Sequence, residues 1–148
     1  MHPDAEKLLA EYPNITVVEA LITDCNGAAR GKWLPIGKLS SLLTEGIKLP
    51  KSAIAQDAWG RDVPSIALDN GDIDGWCQAI PGSLKPVLGS HGVDQAQVVL
   101  TMFKDNGSPL LSDPRQVLAH VTQALETKGF YPRVAIELEF NLFDRQTA

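Results

Sequence analysis

The chain has 148 residues and a formal net charge of −5, with 13 basic and 18 acidic side chains. This length suits one domain, or one domain plus part of another, and a hydrophobic content of 44% indicates a packed core. The acidic balance argues against binding to nucleic acid or to an anionic membrane. The few cysteines and the lack of a signal-like or membrane-spanning apolar run predict a cytoplasmic protein in which Cys25 and Cys77 are buried.

The first part of the chain predicts a short helix followed by a β-hairpin. Asp4 is a suitable cap for a helix within residues 1–13. β-branched residues and an Asp-Cys-Asn-Gly turn then predict a hairpin over 15–34, because Asn and Gly tolerate positive φ. Arg30 and Lys32 share one face of its second strand, where a solvated basic surface is favoured over contact with a ligand.

A helix over 37–45 comes next, and an irregular segment then runs over 47–73. A loop of this length inside a compact domain is either functional or mobile. Its Trp59 exposes a large apolar ring unless the ring meets a ligand or folds back onto the sheet. The sequence leaves these two alternatives open.

Further strands complete the predicted sheet. Short ones are expected near 74–80 and 84–88, and a longer one over 96–103. The order of a hairpin, a helix, a long loop and further strands predicts a β-grasp-like α+β domain over residues 14–104.

A well-marked helix follows this domain. Asp113 is a good N-cap, Pro114 suits the first helical position, and Gln116 completes a capping-box pattern. Apolar residues at helical spacing mark one face: Val117, Leu118, Val121, Ala124 and Leu125. We expect a linker helix over 112–128, so that residues 112–148 form the link and the start of a second unit.

The segment 132–144 alternates strictly and predicts the first strand of that second unit. One face is wholly apolar and should be buried: Val134, Ile136, Leu138, Phe140 and Leu142. Glu137 and Glu139 point to the other face, with Cα atoms about 6.5 Å apart. Carboxylates this close repel each other unless a proton or a cation lies between them, and a hard divalent cation suits their oxygens. The alternative is the wet face of an ordinary strand.

Taken in order, these motifs resemble the N-terminal part of the glutamine synthetase family over nearly the whole chain. The matching pieces are Thr-Asp-Cys-Asn-Gly-Ala-Ala-Arg-Gly-Lys at 23–32 with Pro35, Gly46, Asp-Pro-Arg at 113–115, and Ala-Ile-Glu-Leu-Glu-Phe at 135–140 with Leu-Phe-Asp at 142–144. The resemblance implies a β-grasp N-terminal domain followed by a catalytic domain, of which this chain holds only the beginning.

The resemblance also implies an ATP-dependent ligase that joins glutamate to an amine or ammonia through γ-glutamyl phosphate. In the family both glutamates of the Glu-x-Glu strand are metal ligands, so Glu137 and Glu139 are expected to bind Mg²⁺ or Mn²⁺. The ATP site lies downstream, so no catalytic residue is expected in this chain, which should be inactive alone. Family members form stacked rings, in which the N-terminal domain reaches the active site of a neighbouring subunit.

The loop after residue 47 departs from the ammonium-using members of the family. Those carry an Asp-Gly-Ser-Ser type segment whose aspartate helps to bind ammonium, whereas this chain reads Leu-Pro-Lys-Ser-Ala at 49–53. The variant loop looks more like the γ-glutamylputrescine (polyamine) synthetase branch. We therefore expect an organic amine as acceptor, with Ser52, Asp57 and Trp59 in the amine loop. Asp57 would pair with an alkylammonium and Trp59 would cover its methylenes, unless Asp57 simply caps a turn.

Other functions stay open on the sequence alone. The protein could be glutamine synthetase proper, with ammonia as the acceptor. It could instead be a stand-alone, non-catalytic β-grasp module that binds a protein partner through its sheet or its long loop.

Overall fold

The computed structural model describes residues 1–63, 73–89 and 92–144. Within these ranges the helices are α1 (Pro3–Glu11), α2 (Leu39–Glu45) and α3 (Pro114–Glu126), and the strands are β1 (Val17–Thr23), β2 (Ala29–Pro35), β3 (Ile47–Pro50), β4 (Asp74–Ala79), β5 (Lys85–Gly89) and β6 (Gly92–Phe103). Short 3₁₀ turns cover Ile36–Lys38 and Lys51–Ile54. Residues 64–72 of the predicted 47–73 loop and residues 145–148 of the predicted second unit lie outside the described residues.

The strands form a mixed sheet in the order β2-β1-β6-β4-β3, with β5 also paired to β6. β1 runs antiparallel to β2 and parallel to β6, so the first and last strands lie side by side near the centre. β4 and β5 pair antiparallel with different halves of β6, and β3 pairs with β4. This arrangement confirms the α+β prediction and is compatible with the predicted β-grasp topology.

The alternation of the two central strands decides which face of the sheet is covered, because successive side chains point to opposite faces. The buried residues are Val18, Ala20 and Ile22 of β1 and Ala96, Val98, Leu100 and Met102 of β6. Helices α1 and α2 cover this face with Ala5, Leu8, Leu39 and Leu42. Each large apolar side chain buried here contributes about 1.5–3 kcal/mol to folding. The core of the domain therefore lies between these two helices and the sheet.

The cap of α1 is His2 and not Asp4. His2 Nδ1 accepts a hydrogen bond from the backbone N–H of Asp4 at 3.2 Å, and Pro3 occupies the first helical position. Proline suits that position because its missing N–H would be unpaired there anyway, which places the cap one residue earlier. Asp4 then lies in the first turn, where its negative charge is favourable to the helix dipole.

The start of α3 is fixed to β6 by Asp113, whose carboxylate is buried. Its Oδ1 accepts from the N–H of Arg115 at 2.9 Å, as predicted for an N-cap. Its Oδ2 accepts from the N–H of Met102 at 2.7 Å and from the hydroxyl of Thr101 at 2.8 Å. Gln116 does not complete a capping box, because its Nε2 donates to Thr101 Oγ1 at 2.8 Å instead. Both residues therefore join the helix to the sheet.

The predicted strand over 132–144 is not formed, and its apolar face is not buried. Residues 130–144 carry neither helix nor strand. The apolar side chains are 77% to 91% exposed: Val134, Ile136, Leu138, Phe140 and Leu142. Alternation shows which side chains can be buried together, but a strand also needs a neighbouring edge to pair its backbone groups. The segment has no such edge among the described residues.

The apolar face of α3 is also exposed beyond the first turn. The residues concerned are Val117, Leu118, Val121 and Leu125. The predicted stripe is present in the helix, but the helix leaves the sheet before the stripe can pack against it. The periodicity therefore predicts the helix correctly, and its apolar face is uncovered in the described part of the chain.

The two cysteines differ in their surroundings. Cys77 is buried, as predicted, and burial followed by the nearby Asp113 carboxylate raises the pKa of its thiol to about 12. Cys25 is exposed, so the prediction that it is buried is wrong. It lies in the β1–β2 turn, whose tip faces solvent. None of the helices in the described part of the chain is long and apolar enough to cross a membrane.

Candidate functional site

The first part of the predicted long loop is ordered. After β3 and the 3₁₀ turn, residues 55–63 form a tight loop, which we call the tip loop. The N–H of Val63 donates to Ala55 O at 3.0 Å, and the N–H of Asp57 donates to Arg61 O at 2.8 Å. A bridge between residues 56 and 62 lies between these two bonds. The tip loop therefore holds its own shape through backbone hydrogen bonds.

Asp57 caps the turn at the end of the tip loop. Its Oδ1 accepts from the N–H groups of Trp59 and Arg61 at 2.9 and 3.0 Å, and its Oδ2 accepts from Arg61 Nε at 2.8 Å. The N–H of Arg61 is the main cause that lowers the pKa of Asp57, and the Arg61 side chain and the N–H of Trp59 add to it against partial desolvation. The Asp57 carboxylate is therefore ionised, and both of its oxygens already accept hydrogen bonds. The turn-capping alternative is confirmed.

Trp59 does not fold back onto the sheet, since it is 80% exposed. The guanidinium carbon of Arg61 lies 5.1 Å from the centroid of its ring, within the range of a cation–π contact. Arg61 thus bridges the ring and the Asp57 carboxylate. The loop presents an aromatic face and a carboxylate to solvent with one cationic side chain held between them.

Ser52 lies apart from this pair. It is buried in the 3₁₀ turn below the tip loop, and its backbone carbonyl accepts from the N–H of Ala55 at 2.9 Å. The structure therefore brings Asp57 and Trp59 together at the surface and leaves Ser52 at the base of the loop.

The β1–β2 turn contains a buried carboxylate, Asp24, that the sequence reading did not single out. Asp24 Oδ1 accepts from the N–H groups of Asn26 and Ala28, both at 2.9 Å, and Oδ2 accepts from Arg30 Nε at 3.0 Å. Burial alone would raise the pKa of Asp24, but the hydrogen bonds from Ala28, Arg30 and Asn26 outweigh it and lower the pKa. The sequence signal for this role is the aspartate that opens the turn, because aspartate side chains often accept hydrogen bonds from backbone N–H groups two residues on.

Arg30 is therefore half-buried in an ion pair, and the prediction of a solvated basic face holds only for Lys32, which is exposed. Sequence spacing placed both residues on one face of β2. It did not show that a buried acid lies within reach of the residue nearer the turn.

We expect the Asp24 ion pair to stabilise the fold at neutral pH and to lose its effect in acid. A carboxylate with a lowered pKa stabilises fully above its ordinary value of 3.8 and loses this contribution as pH falls through the folded-state pKa. Asp24→Asn should therefore lower the free energy of unfolding by about 1–3 kcal/mol at pH 7, through loss of charge-assisted hydrogen bonds. The difference from wild type should shrink at an acidic pH below 3.8. Urea titrations at both pH values measure this, with exposed Asp105→Asn as the control.

The β1–β2 turn touches the tip loop at two points. Asn26 Nδ2 donates to Gln56 O at 2.8 Å. The two terminal nitrogens of Arg30 lie 3.7 and 3.9 Å from the position that a Cβ on Gly60 would take. The hairpin and the tip loop therefore form one continuous surface, with Asp57 and Trp59 between the two contacts.

Glu137 and Glu139 lie in the exposed, irregular segment after α3. Their carboxylate oxygens suit a hard divalent cation, but two side chains supply too few of the six or more oxygen ligands that such a cation takes. No group of three or more His, Cys, Asp or Glu side chains able to hold a metal occurs within 1–63, 73–89 and 92–144. This part of the chain therefore offers two donors of the right chemistry without a complete site.

Comparisons with known proteins agree with the motifs. The chain is 38% identical over 145 residues to γ-glutamylputrescine synthetase PuuA of Escherichia coli K12, which is 97% of this chain and 30% of that protein. It is 27% identical over 132 residues to glutamine synthetase of Pyrococcus furiosus, which is 88% of this chain and 27% of that protein. No family model matches the chain.

The fold is shared with a solved structure, the GmaS–ADP complex in its first conformation. The TM-score is 0.65 at 19% sequence identity, and the match covers 86% of this chain and 26% of that one. The chain thus spans only about 30% of the length of the curated relatives that it matches. Together with the ordered motifs, these matches show that the chain resembles the N-terminal part of γ-glutamylputrescine synthetase and of glutamine synthetases over nearly its whole length.

Proposed function

We propose that this chain supplies the N-terminal region of an ATP-dependent ligase that joins the γ-carboxyl group of glutamate to an amine. The observation that carries the proposal is the 38% identity to γ-glutamylputrescine synthetase over 97% of the chain. The similarity to a glutamine synthetase at 27% identity supports the same class of reaction, and the ADP in the GmaS complex supports a nucleotide in the family. The alternative of a stand-alone β-grasp binding module explains none of these matches.

We further propose that Glu137 and Glu139 help to hold Mg²⁺ or Mn²⁺ in the complete protein, together with ligands from beyond this chain. Such a cation, when bound, neutralises charge on the transferred phosphoryl group. The two glutamates contribute oxygens of the correct hardness, and their alternate spacing places both on one side of an extended segment.

The acceptor in this proposal is an alkylammonium compound, and Asp57 and Trp59 contact it. The tip loop already holds a cation between the carboxylate and the aromatic ring, in the form of the Arg61 side chain. An alkylammonium has the same two features, a positive charge and an apolar stem, so it can take this place if Arg61 moves aside. That exchange costs little, because exposed ion pairs contribute about 0–1 kcal/mol. Ammonium lacks the stem and therefore gains no methylene contact with the ring.

We also propose that the protein works as a homo-oligomer, as is typical of the family. The exposed apolar residues of α3 and of 130–144 need cover, because contiguous exposed apolar surface marks interaction sites in soluble proteins. Further parts of the protein and neighbouring subunits provide such cover in this proposal.

Phosphate release by the complete protein tests the amine assignment. With glutamate and ATP present, we expect putrescine to support faster release than ammonium at equal concentration. Trp59→Ala should raise the KM for putrescine about three- to ten-fold, because exposed cation–π contacts contribute about 0.5–1 kcal/mol and methylene cover adds to this. Trp33→Ala is the matched control, since Trp33 is another exposed tryptophan but lies on β2.

Two results would change the proposal. A clear preference for ammonium would assign the protein to glutamine synthetase proper. Equal effects of the two tryptophan substitutions would remove Trp59 from the amine site and leave the ligase assignment in place.

A further inference from the structure

The tip loop has hydrogen bonds within itself and a hydrogen bond to the rest of the described domain. Its backbone hydrogen bonds and the Asp57 turn cap fix its internal shape. Its continuation, residues 64–72, lies outside the described residues, so the attachment that can be described consists of the 3₁₀ turn below it and the contacts with the β1–β2 turn. Among the described residues, the contacts with the β1–β2 turn therefore help to fix the position of Asp57 and Trp59 relative to the sheet.

The conformation of the β1–β2 turn is itself fixed by hydrogen bonds. Asp24 is buried and accepts three hydrogen bonds, two from the turn backbone and one from Arg30. The turn conformation and the direction of the Arg30 side chain are thus fixed by the same carboxylate. Asn26 then donates its side-chain amide to the carbonyl of Gln56, just before Asp57. The terminal nitrogens of Arg30 are near Gly60, just after Trp59, at 3.7 and 3.9 Å from where a Cβ on that residue would lie.

We propose that Asn26 and Arg30, oriented by Asp24, are positioning residues that fix the tip loop and with it the amine-binding pair Asp57 and Trp59. This inference rests on the proposed function for its effect on the amine, but its structural half stands independently. None of the three residues needs to touch the substrate. They act by holding the loop at both sides of the pair that does.

Hydrogen–deuterium exchange on the 148-residue chain tests the structural half. Asn26→Ala removes the side-chain bond to Gln56 and should speed exchange of the amides of residues 57–61 about three- to ten-fold, through easier local opening. Asn106→Ala is the matched control. It lies in a second Asp-Asn-Gly type turn, where its Oδ1 accepts from the N–H and hydroxyl of Ser108, and it has no bond to the tip loop.

Steady-state kinetics of the complete protein test the functional half. Asn26→Ala should raise the KM for putrescine about three- to ten-fold, with the KM values for glutamate and ATP unchanged. Arg30→Lys keeps the charge beside Asp24 but loses the planar group against Gly60, and it should have the same selective effect. Asn106→Ala should leave all three KM values unchanged. If the role were purely structural, the substitutions would lower the amount of active protein, and the KM for putrescine would not change relative to the KM values for glutamate and ATP.

The outcomes are distinct from those that test the ligase assignment. Unchanged exchange of residues 57–61 in Asn26→Ala would overturn the positioning role, whatever the protein catalyses. Faster exchange with an unchanged KM for putrescine would also overturn it, because it would show that opening of the tip loop does not affect binding of the amine. If the parent protein released no phosphate with any amine, the proposed function would fail, and faster exchange in Asn26→Ala but not in Asn106→Ala would still uphold the structural half.

Discussion

Asp113→Ala should lower the free energy of unfolding by about 2–4 kcal/mol, from a lost N-cap of about 1 kcal/mol and a buried N–H left without a partner at about 1–3 kcal/mol. The N–H concerned is that of Met102, which is fully buried in β6 and donates to Asp113 Oδ2 at 2.7 Å. Urea denaturation of the 148-residue chain, followed by far-UV circular dichroism, measures the loss.

Two controls separate the parts of this effect. Asp113→Asn keeps an acceptor for the cap but loses Oδ2, the oxygen that accepts both hydrogen bonds from β6, so it should be destabilised by an intermediate amount. Asp105→Ala removes a surface aspartate whose ion pair with Lys51 is long, at 3.9 Å, and should change stability by less than about 0.5 kcal/mol. A loss below about 1 kcal/mol for Asp113→Ala would contradict the role of its carboxylate in joining α3 to the sheet.

Glu137→Gln and Glu139→Gln should each reduce ligase activity of the complete protein about 100-fold or more, if both carboxylates are metal ligands as proposed. Even partners of metal ligands cost about 10- to 100-fold when they are replaced, and a direct ligand should cost at least as much. Glutamine keeps the size of the side chain but removes its charge, so a higher concentration of Mg²⁺ or Mn²⁺ should restore part of the activity. Activity measured across a metal titration gives both results.

Glu126→Gln, at the exposed end of α3, is the matched control and should retain activity. The stability of the 148-residue chain should not change in any of the three variants, since all three side chains are exposed here. Activity of Glu137→Gln near that of the parent at every metal concentration would rule out Glu137 as a ligand.

The sequence predicted local structure well where local chemistry decides it. The Asp113 cap and the hairpin around Asp24 both follow from residue types at short spacing, and the structure has both of them. The α+β class follows from their order. These features depend on backbone preference and side-chain period, which a single sequence displays.

The sequence predicted burial poorly where cover must come from another element. The apolar face of 132–144 and the stripe on α3 are correct patterns without a neighbour to pack against in the described chain. Contacts between distant residues were also missed, among them Asn26 with Gln56 and Gln116 with Thr101, because they depend on how two turns or two elements meet. For the candidate site, the sequence analysis named Asp57 and Trp59. It did not name Arg61, whose side chain contacts both of them.

The way α3 is attached has a consequence for whatever follows it. The helix has 13 residues, and within the described part of the chain its side-chain hydrogen bonds to the sheet come from Asp113 and Gln116 at its start. At 1.5 Å per residue the helix is about 20 Å long, so a tilt of roughly 10° about its first turn displaces its last residue by about 3 Å. The groups of a catalytic or metal-binding site must be held within about 0.5 Å of their productive positions. The hydrogen bonds of Asp113 and Gln116 with β6 therefore influence how accurately the residues beyond 126 are placed relative to the sheet.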